Sequence, residues 1–177
     1  MPPDDQILVS SSTGEDAAFA RVMGRGSFKV SGSLKEFGSA VLEQGKQELV
    51  LDLADCVGMD STFMGVIAGL SFRYKKQEGG KVVMVNLSDK TLRLISTLGL
   101  DHLVEYHMRE ALPDSYRDAL SSHEADMNDI GEDPLSEEER SRMMLESHQE
   151  LSDLSEANRE RFKDVLTYLR EEVDGSA

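Results

Sequence analysis

The segment LDLADCVGMDSTFMGVIAG, residues 51–69, changes character twice in quick succession. Its start belongs to ELVLDL (48–53), a short β-favouring run that is apolar on both faces around Leu49, Val50 and Leu51, as in a strand covered from both sides. A turn is expected at Asp55-Cys56-Val57-Gly58. Asp60, Ser61 and Thr62, all able to cap a helix, then precede FMGVIAGL, so a helix is predicted from about Ser61 to Gln77, where Gly79-Gly80 ends it. Strand, turn and helix thus meet around one hydroxyl.

The same alternation extends both ways. Upstream, residues 17–23 (AAFARVM) suit a strand entering a turn at Gly24-Arg25-Gly26. Leu34, Phe37, Val41 and Leu42 then recur at helical spacing, with Ser33 placed to cap the first turn. Downstream, KVVMVN (81–86) is a second buried strand, and Ser88 caps a short helix carrying Leu92, Ile95 and Leu98, closed by Gly99. A last short strand is expected over 103–106. This order predicts an α/β fold, a small mixed or mostly parallel sheet with helices packed against it. Residues 1–14 read as a flexible arm or an edge strand, 15–109 as the domain, and 110–135 as a polar linker with one short helix over 116–120. A capping box at Ser136 and Glu139 opens an acidic helical extension over 136–177, in which helix propensity stays high to Val173. Its apolar stripe, Leu151, Leu154, Phe162, Val165, Leu166, Leu169 and Val173, needs cover from the domain or from a second copy.

Charge separates these parts. The 177 residues carry a formal net charge of -15, but residues 1–109 hold 14 acids and 12 bases whereas 110–177 hold 20 acids and 7 bases. Such a chain is repelled by nucleic acid and by anionic lipid. With one cysteine, Cys56, it has no internal disulfide, and no apolar run approaches the roughly 18 residues of a membrane span. The opening MPPDDQ lacks the basic and apolar regions of a signal peptide, so a cytoplasmic protein is expected.

Ser61 is the position with chemical promise. A phosphate placed on the first turn of a helix meets unpaired backbone N–H groups and a partial positive charge. The plainer alternative is that Asp60, Ser61 or Thr62 only caps the helix. Other chemistries find little support. The glycines of a nucleophile elbow are replaced by Met59 and Phe63, and Gly24-Arg25-Gly26 lacks the third glycine of a dinucleotide loop, where Lys29 stands. His102, His107, His123 and His148 have no metal-ligand spacing and read as surface or half-buried side chains; Cys56 reads as a small buried filler. No enzyme activity, metal or cofactor is expected.

The strand ending Leu-Asp-Leu, the Met-Asp-Ser-Thr signature opening a helix, Gly-Gly before Lys-Val-Val-Met-Val-Asn, and Leu-Ile-Ser-Thr-Leu-Gly-Leu-Asp together resemble the STAS domain of sulfate transporters and anti-sigma factor antagonists, over about residues 17–107. The resemblance implies a switch protein that binds an anti-sigma factor with serine kinase activity, which phosphorylates a serine and thereby breaks the complex. Ser61 takes the phosphoacceptor place, with Thr62 the secondary candidate. Gly26, Ser31, Gly32, Asp60, Ser61, Thr62, Phe63 and Gly65 take the partner-binding face. Phe63 departs from the family's usual glycine and either packs inward or serves as a surface anchor, while Gly65 matches the pattern. A non-switching scaffold in a lipid or anion transport complex is the alternative. Minimal family members end near the domain boundary, so the acidic extension is either solvated and packed, including as a homodimer contact, or an arm for a basic partner, or an autoinhibitory cover over Ser61.

Overall fold

The computed structural model describes residues 5–12, 14–132 and 135–175. The outer parts of the expected arm, 1–4 and Thr13, and two linker residues, 133 and 134, lie outside them. Seven strands form the sheet: β1 (Gln6–Ser11), β2 (Ala17–Gly26), β3 (Glu48–Asp52), β4 (Cys56–Met59), β5 (Lys81–Leu87), β6 (Glu105–Met108) and β7 (Asn128–Asp129). Their order is β6-β5-β3-β2-β1-β7, with β4 continuing beside the far end of β2. Pairings of β2 with β3, β3 with β5, β5 with β6 and β2 with β4 are parallel; β1 runs antiparallel to β2 and β7. The mixed sheet is the expected fold class.

Parallel neighbours require crossovers, and three helices supply them: α1 (Phe28–Glu43), α2 (Ser61–Lys75) and α3 (Asp89–Thr97). They cover one face. Alternate residues of the strands, among them Ala18, Ala20, Val22, Leu49, Leu51, Val82 and Met84, join Leu34, Phe63, Ile67 and Tyr74 in the main core. The other alternates, Phe19, Val50, Val83 and Val85, face the opposite way and are covered by Leu112 and by Leu120 of α4 (Asp114–His123). This is why ELVLDL reads apolar on both faces.

Several expectations are corrected. Residues 6–11 are a strand flanked on both sides, neither arm nor edge. The short helix expected over 116–120 is present as part of the longer α4, and the stretch read as a linker also supplies β7 and packs on the second sheet face. Ser27, not Ser33, caps α1: its hydroxyl accepts from the Lys29 amide, and Ser33 lies buried a turn and a half inside the helix, donating to the Gly131 carbonyl. Where a turn is expected over 55–58, residues 56–59 are the short strand β4, on which Cys56 is half-buried with its thiol pKa raised by burial.

The extension is helical, as expected, and consists of two helices. Ser136 caps α5 (Glu137–Ser152) through the Glu139 amide, and α6 (Glu156–Gly175) follows after a short turn. The pair folds back as a hairpin against α2. Asn158, 1 % exposed, donates to the carbonyls of Leu98 and Leu151 and so ties the turn to the end of α3. Leu151, Phe162 and Leu166 enter the main core, whereas Val165 stays 40 % exposed. The domain itself covers the stripe.

Candidate functional site

Two helix starts converge on one carboxylate. β2 and β4 run parallel, which brings Gly26 level with Met59, and the Asp60 amide donates to the Gly26 carbonyl. Asp60 then caps both following helices. Its Oδ1 accepts from the Phe63 amide of α2 at 2.9 Å, and its Oδ2 accepts from the Phe28 amide of α1 at 2.8 Å. The partial positive ends of α1 and α2 therefore lie side by side, with Ser61 the first residue of α2.

The predicted face is gathered in space but largely closed. Asp60, Ser61 and Gly32 are half-buried, whereas Gly26, Ser31, Thr62, Phe63 and Gly65 are buried. Ser31 donates back to the Ser27 carbonyl. Thr62, 3 % exposed, is the less accessible of the two hydroxyls. Phe63 packs inward with no exposed surface, so the surface-anchor alternative is corrected: a Cβ on Gly26 would stand 2.7 Å from the ring, and the missing side chain at Gly26 makes room for the aromatic. Gly65 lies beneath α5, where a Cβ would stand 2.2 Å from the Ser147 carbonyl oxygen.

His148, which sequence reasoning set aside, completes the site. It is 4 % exposed, and its Nδ1 lies 2.7 Å from the Met144 carbonyl. A carbonyl only accepts, so Nδ1 carries a proton, and in the neutral imidazole Nε2 is left as the acceptor. Ser61 Oγ donates to that Nε2 at 2.9 Å, and the Phe162 ring stands edge-on behind the imidazole at 5.4 Å. Eighty-seven residues separate the partners. The only sequence signal was a histidine one turn before Leu151 on the apolar stripe.

The seam between hairpin and domain is not filled throughout. A cavity of about 220 Å³ remains between α2 and α5, lined by Gly65, Gly69, Met143 and Glu150 among others, and Lys35 reaches Glu146 across its rim at 2.6 Å. Burial, and then the charges of Asp153 and Glu146, push the Glu150 carboxyl above its ordinary pKa. A raised carboxyl favours the docked state fully below the unfolded pKa, and that contribution is lost as pH rises through the folded value. Glu150→Gln is therefore expected to stabilise the chain at neutral pH by up to about 1 kcal/mol. It should also flatten the pH dependence from the ordinary glutamate range upward, as read from urea midpoints of the two proteins; equal midpoints at neutral pH would contradict it.

Comparison with known proteins accords with this geometry. A family model described as "Mlab, STAS domain" matches residues 13–105. The chain is 36 % identical over 72 residues to the anti-sigma-B factor antagonist of Bacillus subtilis, an alignment covering 41 % of this chain and 64 % of that protein's length. The fold is shared with an anti-sigma factor antagonist from Mycobacterium paratuberculosis, at 21 % identity and TM-score 0.52 over 68 % of this chain and 99 % of that one. It is shared also with the Bacillus antagonist SpoIIAA in its unphosphorylated form, at 17 % identity and TM-score 0.50 over 65 % and 97 % of the two chains. No helix among the described residues is long and apolar enough to cross a membrane. With its parallel core, a helix starting on Asp-Ser-Thr and more than half its length matched, the chain belongs to the STAS domain family.

Proposed function

We propose that this protein is an anti-sigma factor antagonist: it binds an anti-sigma factor with serine kinase activity through the face around residues 26–32 and 60–65, and phosphate on Ser61 dissolves the complex. Transcription is then regulated indirectly, through protein binding and without catalysis by this chain. The observation that carries the reading is the position of Ser61, first in α2, beside the Asp60 cap and the adjoining start of α1. Likeness to the Bacillus subtilis antagonist supports it. A phosphate there brings about -1.5 to -2 charge to a place now shared by backbone donors, the Asp60 carboxylate and the His148 imidazole, enough to change what the face accepts.

Intact-mass measurement after incubation with ATP and the cognate kinase tests this. One phosphate is expected on the wild-type chain and none on Ser61→Ala. Equal uptake by both would remove Ser61 from the switch, and a partner complex indifferent to phosphate would return the scaffold alternative.

A further inference from the structure

The hairpin formed by α5 and α6 lies over the one hydroxyl that the proposed function requires. Ser61 Oγ is engaged by His148 Nε2 at 2.9 Å, and the imidazole is backed by Phe162 and held by the Met144 carbonyl. At the next turn of α2, Gly65 admits the Ser147 backbone so closely that not even a methyl group fits between them. The space on the α5 side of the half-buried Ser61 oxygen is therefore filled by protein. A phosphoryl group would add a phosphorus atom and three oxygens there.

Charge points the same way. Residues 137–175 carry 12 acidic and 6 basic side chains. Asp60 adjoins Ser61, and the Nδ1 proton of His148 is turned away toward the Met144 carbonyl. Lys35 is paired with Glu146, and Arg140 stacks over the Phe28 ring at 5.7 Å. Arg140 lies eight residues along α5 from His148, about 12 Å by helical rise. Among the described residues, no lysine or arginine pairs with the Ser61 oxygen.

We propose that the docked hairpin and a phosphate on Ser61 exclude one another, so that α5–α6 is a built-in competitor for the Ser61 face. The chain must open before Ser61 is modified, and the phosphate then keeps it open. This rests on Ser61 being the phosphoacceptor. Linkage makes the effect reciprocal: whatever factor phosphate imposes on docking, docking imposes on phosphate. An external partner binding this face competes with the hairpin in the same way.

The test needs no kinase. Phosphoserine is installed at position 61 of the full chain during synthesis, and amide hydrogen exchange is followed over α5 and α6. Protection there should fall at least tenfold relative to the unmodified chain and to a chain carrying phosphoserine at the exposed Ser115, while the sheet amides stay protected. Unchanged or increased protection of the hairpin would overturn the proposal. The reciprocal measurement places the change on the hairpin side. In a Cys56→Ser background, the thiol of Ser61→Cys should react with a soluble disulfide reagent at least ten times faster once Leu151→Asp is added. Equal rates would also overturn the proposal. Since the phosphate is installed directly, failure of the cognate kinase to modify Ser61 would sink the proposed function and leave these two outcomes readable.

Discussion

Asp52→Ala is expected to destabilise the protein by about 3–5 kcal/mol, since truncating one partner of a buried ion pair strands the other charge. Asp52 is 2 % exposed at the end of β3. Its Oδ2 accepts from Arg21 Nε at 3.0 Å; its Oδ1 accepts from the Ala54 amide at 3.0 Å and from Asn86 Nδ2 at 2.8 Å. One carboxylate thus holds the middle of β2 to the ends of β3 and β5. It also anchors Asn86, the one non-glycine residue at positive φ among those described. Without it, the mostly buried Arg21 guanidinium would keep only Glu124, whose side chain is 61 % exposed. Those contacts hold Arg21 protonated above its usual pKa, with the Glu124 hydrogen bonds leading, so the charge cannot be shed to relieve the loss. Thermal unfolding should fall by on the order of 10 °C for a chain of this size. A loss below about 1 kcal/mol would mean that water replaces the carboxylate, contrary to this account.

Gly65→Ala should lift the hairpin from the domain while leaving the sheet in place. The added Cβ would meet the Ser147 carbonyl oxygen at 2.2 Å and its carbon at 2.6 Å. Both are backbone atoms of a helix and cannot swing aside as a side chain tip would. Overpacking of this kind costs about 1–3 kcal/mol. Within α2 itself the change is favourable, because alanine gains about 0.5–1 kcal/mol over glycine inside a helix. The cost therefore falls on docking. Amide exchange in α5 and α6 should accelerate by roughly tenfold or more, since tenfold corresponds to about 1.4 kcal/mol, with core strand amides little changed. If hairpin exchange is unaltered, α5 has shifted to accept the methyl group and the contact is not the constraint described here.

These two residues mark how far the sequence reaches. Asp52 sits in a strand whose two-sided apolar pattern was legible from local composition, as were the crossover helices, a cap among Asp60, Ser61 and Thr62, and the position of Ser61 at a helix start. Each depends on residues a few positions apart, where backbone geometry and side-chain hydrogen bonding act directly. The short strand β4 and the Ser27 cap were missed because four residues or one hydroxyl carry too little periodicity to outweigh nearby turn signals. Phe63 was legible as an oddity only: its inward packing depends on the absent side chain of Gly26, 37 positions earlier, which a parallel pairing brings beneath it.

By itself, then, the sequence determined the alternation of strand and helix, the mixed sheet and the hydroxyl at the start of α2, because repeating local patterns encode them. The tertiary structure decided what covers each face. α4 lies across the second sheet face because Phe19, Val50, Val83 and Val85 require burial, and residues 110–135 were within reach to provide it. The acidic extension returns to α2 because Leu151, Phe162 and Leu166 find the main core there, and Gly65 lets a backbone approach. Only that packing sets His148 against Ser61. An amphipathic stripe specifies that something apolar will meet it, but its direction and register come from surfaces far away in the chain, as does the chemistry they enclose.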